Sequence, residues 1–179
     1  ELAGNFARDC GNQMGDAMER GVGIYRTEAL MQETIDELKS LKERYKNTIT
    51  GVEVTTYFPE DECKIHLLLF GLSPAQFEHV QELRSNIYSL RDYVLSERIA
   101  YSVAHATYSI NKKLTASHLE RLILLFDVFE GINGARDGFF NRSWTGILSR
   151  LEPHHIETLR LKHGIAPASD TAWIKGFTG

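Results

Sequence analysis

The sequence of 179 residues predicts an α/β fold with largely parallel strands, preceded by an α-helical segment. Between residues 27 and 47 apolar residues recur at three- and four-residue steps, which is typical of an amphipathic helix. From residue 50 the apolar residues alternate instead, and strand-like and helix-like segments then follow one another to the end of the chain. Because such alternation builds layered parallel sheets, we expect a helical segment over residues 1–49 and an α/β domain over residues 50–179.

The N-terminal helix has a plausible beginning, an apolar face and an end. Thr27 can cap its first turn, Glu28 carries a favourable charge there, and Asn47 is a suitable stop. Its apolar stripe consists of Leu30, Met31, Thr34, Ile35, Leu38, Leu41 and Tyr45. A helix that is apolar on one side has to bury that side against another element.

Two strands joined by a turn follow. The first has Glu53, Thr55 and Tyr57 on one face and, on the other, Val52, Val54, Thr56 and Phe58. The segment PEDEC is expected to turn, and KIHLLLFGL is apolar on nearly both faces, as in a central strand.

The remaining elements alternate. Ser73, Pro74 and Gln76 predict the start of a helix, through a capping box with proline in the first turn. We expect one buried stripe on this helix, formed by Phe77, Val80, Leu83, Ile87, Leu90 and Val94. We then expect a strand ending near His105, a helix capped by Thr115 and a strand ending near Asn133. Two helices follow, the second of which is closed by Gly164, and WIKGFTG forms a final strand.

Composition narrows the function. The formal net charge is −4 with an isoelectric point near 6.0, and the Lys and Arg residues are scattered, which argues against a nucleic-acid-binding face. No apolar run approaches a membrane span of about 18 residues, and the N-terminus lacks the order of a signal peptide. Cys10 and Cys63 form neither a disulfide framework nor a paired zinc motif, so we expect a cytoplasmic protein.

Three polar residues are candidates for a metal site. Glu53 lies on the first strand, and His105 and Asn133 lie at strand ends, where ligands collect in parallel α/β folds. Carboxylate and imidazole together suit Zn, Mn or Fe. The alternatives are a solvated strand glutamate, a structural histidine and a turn asparagine. His66 is expected to be a packed strand residue, and His118 a surface or cap residue.

Residues 12–49 resemble the C-terminal helical region of the flavoprotein subunit of fumarate reductase and succinate dehydrogenase. The resemblance rests on GIYRT, LMQ, TID and ERYK. In that family this region packs behind the flavin and capping domains and carries none of the flavin-binding residues. The resemblance therefore does not imply redox activity, and we expect no flavin.

Residues 51–179 resemble the PHP-domain (polymerase and histidinol phosphatase) superfamily. The matching motifs are GVEVTTYFPED, KIHLLLFG, NIYSLRDY, SVAHATYS, LLLFDVFEGING and WIKGFTG. The resemblance implies a partial (β/α) barrel that binds divalent metal ions and hydrolyses a phosphoester substrate. It makes Glu53 the bridging carboxylate and His105 the central histidine ligand, with Asn133 or Glu130 nearby.

The chain also departs from that family. The helical segment stands where an HxH strand and an Asp-His pair should lie, Ala106 replaces a usual proline, and the closing Asp-Asp-His segment should follow residue 179. We therefore expect a chimera-like, catalytically incomplete phosphoesterase fragment that acts structurally or by self-association as a homo-oligomer. The alternatives are an active phosphoesterase completed in trans, or a fragment of a fumarate reductase-like flavoprotein.

Overall fold

A computed structural model describes residues 43, 49, 51–134 and 137–178. The helix expected over residues 27–47 lies outside the described residues, apart from Glu43, which is helical. The described elements are β1 (Gly51–Phe58), β2 (Cys63–Phe70), α1 (Pro74–Leu83), α2 (Ile87–Ser96), β3 (Ala100–Ala104), α3 (Ala116–Leu125), β4 (Val128–Glu130), α4 (Gly138–Leu148), α5 (Pro153–His163) and β5 (Gly176–Thr178).

The strands form one mixed sheet in the order β1-β2-β3-β4-β5. β2 is antiparallel to both of its neighbours, whereas β3, β4 and β5 are parallel to one another. Chain connectivity explains the difference. The turn at residues 59–62 joins β1 to β2 directly, and parallel neighbours need a crossover, which α3 provides between β3 and β4 and which α4 and α5 provide between β4 and β5.

One face of the sheet is the core face. Val54 of β1 pairs with Leu67 of β2, which in turn pairs with Val103 of β3. Val103 pairs with Phe129 of β4, and all four side chains are at most 1% exposed. Burying a side chain of this size contributes about 1.5–3 kcal/mol. Because side chains alternate along a strand, the neighbouring residues of each strand lie on the opposite face, which is where the polar candidates are found.

The single helix expected to follow Ser73 is wrong: the structure has two helices, α1 and α2. Asn86 is the N-cap of α2, and its side-chain oxygen accepts hydrogen bonds from the backbone N–H groups of Tyr88 (2.9 Å) and Ser89 (3.3 Å). An asparagine that satisfies these free N–H groups begins a new helix rather than continuing the previous one. The apolar stripe is buried except for Leu83, which is partly buried, and two separate helices carry it.

Three of the predicted helix ends lie within the described residues and agree with the structure. Ser73 and Gln76 form the capping box of α1, with Pro74 in its first turn. Thr115 is the N-cap of α3, and Gly164 closes α5 with a positive φ of 66°. These ends were predictable because a cap depends on a few neighbouring residues.

The strand predicted to end near His105 does so, whereas the strand predicted to end near Asn133 ends earlier. β3 ends at Ala104, so His105 is the first residue of the following loop, and β4 ends at Glu130, three residues before Asn133. Asn133 therefore lies in a loop beyond the sheet. Within the described residues, no helix combines the length and the apolar character needed to cross a bilayer.

Candidate metal centre

The polar face of the sheet brings together residues of β1, of β2 and of the loop that follows β3. In the hairpin register, Thr55 lies opposite His66, and Glu53 lies on the same face, two residues before Thr55 in β1. His66 is also paired with Ala104, the last residue of β3. His105 follows immediately, so its side chain can reach Glu53 and His66.

The three side chains converge through one donor atom each. Nδ1 of His66 lies 3.2 Å from Nε2 of His105, and that atom lies 3.4 Å from Oε1 of Glu53. Oε1 of Glu53 also contacts Nδ1 of His66 directly. Nitrogen and oxygen ligands at about 2.0–2.2 Å from a tetrahedral ion are separated by roughly 3.3–3.6 Å. Two of the three pairs have close to that spacing, whereas the third, Glu53 with His66, is much closer and has to move apart before an ion could fit.

Glu53 is held in its ionised form. Burial by itself would raise the pKa of this carboxyl, but hydrogen bonds from His105 and His66 and the charges of both rings outweigh that effect. The net result is a pKa far below the ordinary value for glutamate. The side chain is 34% exposed and the two imidazoles are 13% and 9% exposed, so the carboxylate lies at the mouth of the cluster.

The outer nitrogens of the two rings define the chemistry further. Nε2 of His66 and Nδ1 of His105 are buried and have no hydrogen-bond partner among the described residues. An imidazole that binds a metal through one nitrogen carries its proton on the other. In most metal sites that N–H group has an acceptor, which the described part of this site does not provide. Nevertheless, two imidazoles and one carboxylate suit Zn, Mn or Fe.

A second layer of hydrogen bonds surrounds His105. Its backbone N–H donates to Oε2 of Glu130 (2.8 Å), and the same oxygen accepts from Nδ2 of Asn133 (3.0 Å). Asn141 of α4 donates to the carbonyl oxygen of Asn133 (3.0 Å). The structure thus joins Asn133, a sequence candidate, to the cluster through Glu130.

His66 is expected from the sequence to be a packed strand residue, whereas the structure places it beside Glu53 and His105 and so makes it a candidate ligand. The available signal was the length of the turn. Four residues separate Phe58 from Cys63, and pairing these two places Thr55 opposite His66, with Glu53 nearby on the same face. In the described part of the chain, Glu53, His66 and His105 form a group of three potential metal ligands whose donor atoms all lie within 4.8 Å of one another.

The acidic turn after β1 has a structural use. Asp61 lies 3.2 Å from Nε2 of His118, and Glu60 accepts hydrogen bonds from Arg121 (2.8 Å) and Tyr88 (2.7 Å). His118 is buried at 5% exposure, so the prediction of a helix cap was correct and that of a surface position was not. These carboxylates fasten the hairpin to α2 and α3.

Comparison with known proteins concerns the N-terminal part of the chain. Residues 11–57 match the family model described as fumarate reductase flavoprotein C-term. The fumarate reductase flavoprotein subunit of Escherichia coli (strain K12) is 63% identical over 65 residues, and that of Proteus vulgaris is 46% identical over 65 residues. In both cases the match covers 36% of this chain and 11% of the relative. That of Serratia sp. (strain ATCC 39006) is 60% identical over 35 residues, which are 20% of this chain and 6% of that subunit.

These matches confirm the similarity predicted for residues 12–49 and extend it into β1. The chain spans about a tenth of the length of the first two relatives. No solved structure matches the chain.

Proposed function

We propose that residues 51–178 form a divalent-metal-binding domain of the PHP phosphoesterase type, in which Glu53, His66 and His105 hold one ion. The observation that supports the metal-binding part of this proposal is the convergence of three donor atoms within 4.8 Å of one another, and the PHP type rests on the sequence resemblance alone. Strands β1 and β2 and the residue after β3 supply one donor each, so the group depends on the fold rather than on a local sequence motif.

The residues of the cluster have distinct tasks. Glu53 would contribute a negatively charged carboxylate oxygen, and each imidazole would contribute a nitrogen once its proton is released on metal binding. When bound, a divalent ion would supply Lewis acidity toward a phosphoester and a water molecule of lowered pKa. Because the carboxylate is partly exposed, an ion held there would be accessible to solvent.

The proposed role remains that of a catalytically incomplete domain. The cluster offers three donors to one ion, whereas a two-metal centre needs several more fixed donors. We therefore propose binding of one ion with little turnover, and a structural or associative role in a homo-oligomer. An active site completed by a second copy is the competing form of the same proposal.

Elemental analysis of the native protein, together with its native mass, tests these statements. We expect about one Zn, Mn or Fe per chain in the wild type and a loss of that metal in His105→Ala. Hydrolysis of bis-p-nitrophenyl phosphate with added Mn²⁺ should stay at the level of the blank. Turnover that disappears in His105→Ala would favour the completed site, and a wild type that takes up no metal would refute the proposal.

A second candidate function follows from the comparisons. Because residues 11–57 match the C-terminal region of fumarate reductase flavoproteins, we propose that the N-terminal segment is a helical element of that type. Flavin released by denaturing the protein and measured by fluorescence tests whether the likeness extends to the cofactor. We expect no flavin, and stoichiometric flavin would favour a flavoprotein fragment.

A further inference from the structure

His105 adopts an unusual backbone conformation for a residue of its kind. Its φ is +30°, which lies in the region that favours glycine. A residue with a Cβ atom pays about 1–3 kcal/mol for such a conformation, so its surroundings have to hold it there. The conformation matters because it follows directly after β3 and determines where the imidazole lies relative to Glu53 and His66.

One hydrogen bond holds the backbone of His105 directly. Oε2 of Glu130 accepts the N–H group of His105 at 2.8 Å. A hydrogen bond to a carboxylate is about twice as strong as one between neutral groups. Glu130 is the last residue of β4 and follows Phe129, which pairs with Val103 of β3, so the sheet itself places the carboxylate beside the loop.

The carboxylate is in turn held from behind. Asn133 donates to the same oxygen at 3.0 Å, and Asn141 of α4 fixes the carbonyl of Asn133 at 3.0 Å. Because Oε2 of Glu130 accepts both of these hydrogen bonds, it faces a backbone donor and an amide donor rather than the three converging ligand atoms. Glu130 is not a member of the group of donors that lie within 4.8 Å of one another in the described chain.

We propose that Glu130 is a positioning residue for the metal centre: it fixes the backbone of His105 so that Nε2 of the ring points at Glu53 and His66, without itself binding the ion. This inference rests on the proposed metal-binding function. At position 130 the site requires an acceptor oxygen rather than a negative charge.

Four variants test the inference. In Glu130→Gln the amide oxygen can still accept the His105 N–H group, in Glu130→Asp the charge remains but the side chain is one methylene shorter, and Glu130→Ala removes the acceptor. Glu78→Ala, an exposed position on α1, is the matched control. The affinity for Zn²⁺ is measured by competition with a chromophoric chelator, and the ligand geometry by the visible spectrum of the Co²⁺ form.

We expect Glu130→Ala and Glu130→Asp to bind Zn²⁺ about 10–100-fold more weakly, as is usual when a residue that orients a ligand is lost. Glu130→Gln should stay within about threefold of the wild type, because one neutral hydrogen bond replaces one charged bond. In the metal-free protein, amide hydrogen exchange at His105 should be protected in the wild type and in Glu130→Gln but fast in Glu130→Asp.

Each outcome of these measurements either supports or refutes the positioning role of Glu130. A wild type without Zn²⁺ affinity refutes both the proposed function and this inference. Wild-type affinity in Glu130→Asp, with the Zn²⁺ site intact, refutes the positioning role alone. Equal losses in Glu130→Gln and Glu130→Asp also refute it, because they would show that the native charge and shape, rather than the acceptor, are required. If Glu130→Ala does not fold, the comparison of Gln with Asp still gives the answer.

Discussion

Nδ1 of His66 and Nε2 of His105 lie 3.2 Å apart, although the two histidines are 39 positions apart along the chain. The antiparallel pairing of β2 with β3 brings them together, since His66 lies opposite Ala104, the residue before His105. Two imidazoles at this distance, beside an ionised carboxylate, are the basis of the first prediction.

His66→Ala should weaken Zn²⁺ binding by at least about tenfold, because it removes one of three converging donors. Competition titration with a chromophoric chelator measures the effect. His79→Ala is the matched control, since His79 is 48% exposed on α1 and pairs with Glu82 on the same helix. Unchanged affinity in His66→Ala would show that His66 is a packed residue.

Lys175→Met should lower the free energy of unfolding by roughly 2–3 kcal/mol, because it leaves buried acceptors unpaired. Nζ of Lys175 is fully buried and donates to the carbonyl oxygens of Ile123 (2.7 Å) and Phe126 (2.8 Å), and to Asp127 (3.2 Å). Burial lowers the pKa of this amine, and the negative charge of Asp127 partly offsets that effect. Urea unfolding measures the change. Lys112→Met at an exposed position should cost little, and an equally small effect at Lys175 would contradict the prediction.

Glu120 should contribute stability that disappears in acid. A hydrogen bond from Lys162 is the main cause that lowers the pKa of this carboxyl, with a further contribution from His163, and together they outweigh the effect of burial. The pKa is thus below its ordinary value of 4.5 in the folded protein, and the unfolded chain binds the proton first as pH falls. The contribution is complete above pH 4.5 and is lost as pH drops through the folded pKa.

Thermal unfolding of wild type and Glu120→Gln as a function of pH measures this contribution. The wild type should melt at a higher temperature near neutral pH, and the difference should shrink below pH 4.5. Glu78→Gln on the exposed face of α1 should show no such trend. A difference that is independent of pH would mean that the charge of Glu120 has no part in stability.

Two glycines should respond to alanine with opposite signs. Gly164 closes α5 with a φ of +66°, and alanine there should destabilise the protein by about 1–2 kcal/mol. Gly146 lies inside α4 with no atom within 4 Å of an added Cβ, so alanine should stabilise it by about 0.5–1 kcal/mol. Chemical unfolding of both variants measures the pair, and a stabilising Gly164→Ala would contradict the assignment of a left-handed cap.

The sequence allows local features to be predicted better than spatial ones. Caps such as Ser73 and Gly164 depend on side chains within one helical turn, so their residue types are sufficient. The break at Asn86 was missed because the apolar spacing runs on across it, and only the capping hydrogen bonds show that a second helix begins.

The residues of the candidate site also differ in how far the sequence allows them to be predicted. Glu53 and His105 were predicted as metal ligands from a family resemblance, and the structure places them beside His66, which the alternation of β2 alone could not distinguish from a packed residue. The role of Glu130 could not be predicted from residue types, because it depends on a side chain reaching a backbone N–H group on the adjacent strand's loop.

The donors at positions 53, 66 and 105 lie on three segments that meet only through two antiparallel strand pairings. A cation that requires all three can therefore be captured only after the chain has extended past residue 105 and both pairings have formed. Because the denatured ensemble lacks this arrangement, a ligand at a hundred times its Kd would add about 2.7 kcal/mol to the native state, and chelation would remove it.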